Sequence, residues 1–310
     1  MAEDARSSPI RVLLEYLRQN ESAGQTHVWL SDPAREVMRA WHRAQRGGRT
    51  QSTGRSTVVV APISTEVLAS GPVGPVGTGV PTASAKPTPG AAWPTELADP
   101  ATVAALAAVQ SGVLACPVYA SLRERGLLRD TMVFAVGNPV SPLVFVGEAP
   151  GAEEEKLGEP FVGPAGQLLT KMITAMGLQR SQVYITNIVK YRPAIDGGNQ
   201  GSKNRRPTSE EIAAGLPHLH RELAVLRPRV LVALGATALE GLAGEAIPIG
   251  RARGQWRTFD GIPVMPTFHP SYLLHNESLT ERRKVWEDLL QVMEKLGMPI
   301  SAKQRAFFKT

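Results

Sequence analysis

A single cysteine, Cys116, stands among the 310 residues. That excludes a disulfide framework and any cysteine-rich metal centre within one chain, and it makes a reducing, cytoplasmic setting the expected one. Long apolar runs are missing as well. The longest, ATVAALAAVQSGVLAC at 101–116, is too short to cross a bilayer and is interrupted by Gln110 and Ser111. It reads as a core-facing helix, and no membrane partner is expected. Residues 2–6 lead into charged residues rather than an apolar stretch, so no signal peptide is expected.

What is present suits a soluble globular chain, with 43% hydrophobic residues and 29 Gly and 25 Pro. The net charge of +6, with a pI near 9.6, fits a polyanionic partner without demanding one. Residues 9–19 read as an amphipathic helix, with Ile10, Leu13, Leu14 and Leu17 at helical spacing. A second helix is expected after Ser31 or Asp32, with Pro33 at its first position and Val37, Met38 and Trp41 along it. From about 46 to 95 the chain is rich in Gly, Pro, Ser, Thr and Ala, with GPVGPVGTGVPTASAKPTPG at its centre, and reads as a linker. The expected organisation is an N-terminal helical segment over 1–45, a linker over 46–95, a main domain over 96–300 and a C-terminal tail over 301–310. A protein partner for the N-terminal segment is one expectation; a tethered accessory is the plainer one.

In the main domain, LVFVG (143–147), VYITNIV (183–189), VLVALG (230–235) and IPVMPTF (262–268) are short β-branched-rich runs. Helical stretches lie between and after them, at 164–177, 208–226, 236–243 and 281–296. Strands alternating with helices imply parallel pairing in a layered α/β fold. Ligands of such sheets bind at the carboxyl ends of strands. Glu148, Asn187, Gly235 and His269 are therefore candidates for one crevice.

The sequence GEAPG before a helix lacks the Lys and Ser/Thr of a phosphate loop and the glycine spacing of a dinucleotide fingerprint. Glu153, Glu154 and Glu155 are consecutive and point in different directions on a helix start, where the dipole alone favours carboxylates. A metal site there is not expected. The pair His218 and His220 reads as helix surface.

Five stretches in order, GEAPGAEEEKLGEPFVGPAGQLL, YITNIVKYRPA, NRRPTSEEI, LRPRVLVALGATAL and TFHPSYLL, resemble the motifs of the family 4 uracil-DNA glycosylases. The resemblance covers roughly 110–296. It implies a three-layer α/β/α sandwich with a short central parallel sheet, extended here by the N-terminal helical segment. It implies base excision repair: uracil flipped out of DNA and cut from its sugar, leaving an abasic site. DNA containing uracil would be the partner, and the protein a monomer.

The implied pocket residues are chemically sensible. Phe161 would supply an aromatic face for the base. Asn187 would donate to O4 and accept from N3–H, polarities that cytosine reverses. Backbone groups of Glu148 and Ala149 would add hydrogen bonds, and Glu154 would shape the pocket against the methyl group of thymine. His269 would donate to O2 and stabilise developing negative charge. Glu148 is the first candidate for orienting water, with Asn204 assisting. Ser271 belongs to the same DNA-facing segment, Leu273 and Leu274 would wedge into the vacated stack, and Lys190, Arg192, Arg205 and Arg206, with Lys203, read as a phosphate-facing patch. His275 stands where the family usually has Arg.

One departure is large. Family 4 enzymes usually hold a [4Fe-4S] cluster through four cysteines, and three of those positions are here Val113, Tyr191 and Gly215, leaving only Cys116. No cofactor is expected. The departure leaves a second functional class open, a family-derived DNA-binding or replication-associated protein with little glycosylase activity.

Overall fold

The computed structural model describes residues 93–308 apart from 95, 245 and 277. The helices read at 9–19 and after Pro33, and the linker up to residue 92, lie outside the described residues.

The folded region opens with Trp93, which packs against the core while its indole N–H donates to the Gln182 carbonyl at 2.8 Å. Helix α1 (Pro100–Leu114) is capped by Asp99, which accepts from the Thr102 amide, with Pro100 at the first helical position. Helix α2 (Pro117–Glu124) follows. Strands β1 (Leu128–Met132), β2 (Ala135–Gly137) and β3 (Leu143–Gly147) lead into α3 (Ala152–Leu157) and α4 (Pro164–Ala175). Next come β4 (Tyr184–Asn187), β5 (Tyr191–Pro193), α5 (Ser209–Leu226), β6 (Val230–Leu234), α6 (Ala236–Ala243) and α7 (Ile249–Ala252). The chain closes with β7 (Arg257–Phe259), β8 (Ile262–Thr267), α8 (Pro270–His275), α9 (Leu279–Leu296) and α10 (Ala302–Arg305).

The main sheet has the order β2-β4-β3-β6-β8-β7. The central four strands are parallel, as the alternation of strands and helices implies; both edges, β2 on β4 and β7 on β8, are antiparallel. The expected central parallel sheet is present, and antiparallel strands extend it at both edges. Three-residue edge strands carry too little pattern to be read beforehand. Strands β1 and β5 form a separate antiparallel pair.

The central strands are buried on both faces, which is why they read as continuous apolar runs. Phe145, Ile185, Val232 and Met265 pack with Leu169 and Ile173 of α4 and with Leu289, Val292 and Met293 of α9. On the other face Tyr184 and Thr186 donate to Glu222 of α5. Helices on both faces make the three layers. Residues 301–308, set apart in the sequence as a tail, return to this core: Trp286 Nε1 donates to the Gln304 carbonyl and Phe307 lies 5.4 Å from the Trp286 ring.

Candidate active site

The carboxyl ends of β3, β4, β6 and β8 converge. Gly147 of β3 is registered against Asn187 of β4, and the ladder runs on, with Ile188 N–H donating to the Gly147 carbonyl and Val189 N–H to that of Glu148. Gly235, past the end of β6, takes φ 94 and donates to the Thr267 carbonyl; a side chain there would press on His269, whose Cβ lies 3.1 Å from where the new Cβ would sit. The strand ends that carry Glu148, Asn187, Gly235 and His269 therefore lie side by side in the sheet.

Asn187 is 1% exposed, and its Oδ1 has no hydrogen-bond partner among the described residues. A buried, unpaired carbonyl costs about 1–3 kcal/mol. Such an atom at a strand end is a standing acceptor for a ligand. Phe161 borders it, and a methyl group on Gly147 would meet both Asn187 Oδ1 and the Phe161 ring edge. The Phe161 and His269 ring centroids are 5.7 Å apart.

Phe161 holds a left-handed backbone, φ 54, which is unfavourable for an aromatic residue. Glu154 accounts for its persistence. One carboxylate oxygen accepts from the amides of Val162 and Gly163, both at 2.9 Å, and the other from the Gly151 amide at 3.1 Å. Arg180 adds a bond to the Pro160 carbonyl at 2.5 Å, and Gly166 lies directly against the Phe161 carbonyl. Glu154 thus clasps the GEAPG loop to the Phe161 turn. Its carboxylate is committed to three backbone amides.

His269 caps α8: the Ser271 amide donates to Nδ1 at 3.2 Å, and the Ser271 hydroxyl lies 2.7 Å from the same nitrogen. A nitrogen that accepts a backbone N–H carries no proton, so the neutral ring bears its proton on Nε2. The ring keeps part of its surface exposed but is densely surrounded. Burial lowers its pKa below the usual histidine value, against the opposing pull of Glu148 and Glu154. A neutral Nε2–H donor is the resting form. Glu148 is half-buried, its carboxylate accepts no hydrogen bond among the described residues, and Ala149 beside it is likewise half-buried. Asn204 approaches the same loop, its Nδ2 3.0 Å from where a Gly151 Cβ would stand. One aromatic face, an amide edge, an imidazole donor and a free carboxylate suit a planar heterocycle with a polar edge.

A profile of the uracil DNA glycosylase superfamily matches residues 134–290. The chain belongs to this superfamily. It is 45% identical over 179 residues to the type-4 uracil-DNA glycosylase of Thermotoga maritima, covering 56% of this chain and 84% of that protein. Against the type-4 enzymes of Sulfurisphaera tokodaii and Archaeoglobus fulgidus the identities are 39% over 175 residues and 40% over 161. Those matches cover 54% and 49% of this chain, and 75% and 77% of the relatives.

Seen as a superfamily member, the chain departs from expectation on its DNA side. Lys190 is fully buried, with Nζ 2.6 Å from both Glu222 and Thr186, and cannot reach a phosphate. Arg192 is 4% exposed and spends its donors on Glu155, Asn204 and two carbonyls. Arg205 pairs with both oxygens of Glu211 and with the carbonyls of Ala194 and Leu127. These three are corrected from phosphate contacts to internal ties; charge alone did not distinguish the two. Arg206 stays 54% exposed beside Glu240. Leu273 is 2% exposed and belongs to the core, so it is no wedge, whereas Leu274 is 41% exposed on the same short helix. Ser271 is engaged with His269.

The cluster-bearing region of the family does not fit a four-thiolate centre here. Val113 and Tyr191 are fully buried, and a Cβ on Gly215 would lie 2.3 Å from the Ile188 carbonyl oxygen. Tyr191 packs edge-on against Tyr119 at 4.9 Å, Tyr119 stacks on His218 at 5.6 Å, and the Arg123 guanidinium lies 5.2 Å over Tyr191. Aromatic rings fill the volume. Among the described residues no three His, Cys, Asp or Glu side chains are grouped to hold a metal.

Sequence reasoning passed over Gly147 and Arg129 and took Glu155 only as part of a helix start. The first glycine of GEAPG was the available signal for Gly147. Glu155 bridges Arg129 and Arg192, which answers why acids crowd the start of α3.

Proposed function

We propose that this chain is a uracil-DNA glycosylase that takes a flipped deoxyuridine into the crevice and hydrolyses the bond between base and sugar. The observation that carries it is the buried, unpaired Oδ1 of Asn187 beside Phe161 and the Nε2–H of His269. Uracil N3–H is the donor that acceptor lacks, and Nδ2 of the same amide donates to O4. Cytosine has no N3–H and would set an amino group against the Asn187 donor, so the edge discriminates.

In the reaction the C1′–N1 bond breaks with its electron pair passing to uracil, and positive charge grows on the sugar. His269 Nε2–H meets the negative charge on O2 without becoming charged itself, an oxyanion-hole type of stabilisation. Water attacks C1′; Glu148 orients it and takes its proton, and solvent protonates the departing uracil. Leu274 is the wedge, and Arg206 with Lys203 faces the phosphates. The chemistry runs without an iron–sulfur cluster, because the residues at the ligand positions cannot hold one, and protein prepared without oxygen should contain no stoichiometric iron.

The test is release of uracil from a single-stranded oligonucleotide, followed by alkali to cut at abasic sites. Cleavage at uracil alone is the expected result. Intact strands, from protein that binds the same oligonucleotide, would overturn the reading in favour of a DNA-binding protein with little activity.

A further inference from the structure

Arg192 sits in the three-residue strand β5 and looks in sequence like a loop cation. In the fold it is the centre of a small network. Nη1 donates to Glu155 Oε2 at 2.8 Å, and Nη2 to the carbonyls of Gly201 and Lys203 at 2.8 and 2.7 Å. Glu155 is held from its other side by Arg129 Nε at 2.8 Å, and Arg129 also donates to the Gly198 carbonyl at 3.1 Å. The network gathers the loop from 198 to 204 around two guanidinium groups bridged by Glu155.

The third nitrogen, Nε, meets Asn204 Oδ1 at 3.0 Å. A guanidinium offers only donors, so the atom facing it must be the amide oxygen. The amide flip of Asn204, on an exposed loop where it could otherwise turn either way, is thereby decided. Nδ2 lies on the opposite side, close to Gly151 in the loop that carries Glu148, and donates to nothing among the described residues. An N–H there can occupy one lone pair of a water. That leaves the water a proton for the Glu148 carboxylate and its second lone pair for C1′.

We propose that Arg192 is a positioning residue for this hydrolysis, fixing Asn204 so that its Nδ2, and not its oxygen, is presented to the attacking water. The proposal rests on the reading of Asn204 as a water-holding residue. Lysine at 192 keeps the charge beside Glu155 but not the fork that reaches four acceptors at once.

The test is a double-mutant cycle on single-turnover uracil release, with Arg192→Lys, Asn204→Ala and both together. Each single change should slow the chemical step on the order of 10²-fold, as loss of a placed proton-transfer partner does, with KM for DNA nearly unchanged. In the Asn204→Ala background Arg192→Lys should cost less than about twofold more. Losses that multiply would overturn the positioning role while leaving Asn204 in the reaction. Full activity in Asn204→Ala would overturn the reading of Asn204 and the proposal with it. Asn204→Asp tests the flip without touching Arg192: it strengthens the bond to Arg192 but replaces the donor with an acceptor, so it should be as slow as Asn204→Ala. Near-normal activity in Asn204→Asp would refute the assigned orientation.

Discussion

Gly147→Ala separates the requirements of the fold from those of the pocket by one methyl group. Gly147 ends β3 in ordinary extended register with Asn187, and its backbone is not in the left-handed region, so alanine is conformationally acceptable. The obstacle is space. The new Cβ would stand 2.3 Å from Asn187 Oδ1 and 2.5 and 2.6 Å from two carbons of the Phe161 ring. Contact needs roughly 3.5 Å, so the amide and the ring must each retreat by about 1 Å. Both belong to the proposed base-binding surface, and Phe161 is already held in a strained turn by Glu154.

The two consequences differ in size. Overpacking a core position by one methyl group costs about 1–3 kcal/mol of stability, which leaves the domain folded. A 1 Å displacement of groups that align a reacting substrate costs on the order of 10² in rate. Gly147→Ala should therefore melt a few degrees lower and release uracil about 100-fold more slowly in single turnover. Gly250→Ala, where the added methyl meets no other part of the protein within 4 Å, is the control; it should release uracil like the parent and melt no lower. If Gly147→Ala keeps uracil release within a few-fold of the parent, Asn187 and Phe161 do not form the base-binding surface.

Asn187→Asp keeps the shape and removes the donor to O4; uracil release should fall by orders of magnitude, toward 10⁴-fold, with melting little changed, and unchanged release by the folded variant would exclude recognition by Asn187. Lys190→Met removes the buried partner of Glu222, leaving a carboxylate held only by Tyr184 and Thr186, and should cost about 3–5 kcal/mol. A melting temperature within a degree or two of the parent would refute that account. His269, its folded pKa lowered by burial, stays neutral through pH 6.5, so uracil release should be level from pH 8 to about 6.5 and decline only below. The folded state binds the fewer protons, so the stability from this group is also lost as pH falls below 6.5. A rate that rises as pH drops through 6.5 would mean that the imidazolium is the working form.

The strands of the central sheet were legible because burial on both faces leaves them mostly apolar, and the helices between them because one face of each is apolar. The strand-end residues followed from topology: once β3, β4, β6 and β8 are parallel neighbours, Glu148, Asn187, Gly235 and His269 have nowhere else to be. The edges were not legible. Strands of three residues such as β2, β5 and β7 carry no periodicity, and the antiparallel pairing of β2 and β5 is set by neighbours distant in sequence.

Charged residues were where sequence misled most, and the reason is physical. A cation in a Gly- and Pro-rich loop has the same one-letter surroundings whether it faces solvent or a buried carboxylate. Lys190 is four residues from Thr186, yet its partner Glu222 is on α5. Arg205 answers Glu211 through the start of α5, and Arg192 answers Glu155 across 37 positions. In each case the acid had been read by itself, as a solvated helix start or not at all. The same blindness made wedges of both leucines of α8, since a two-leucine run cannot say which member turns inward until Leu273 is seen in the core with α4 and α9. A cation near a proposed nucleic-acid face is a phosphate contact only after the acids within reach have been counted. Here that count leaves Lys203 outside, sets Arg206 against Glu240 on the surface, and turns Arg192 inward toward Asn204.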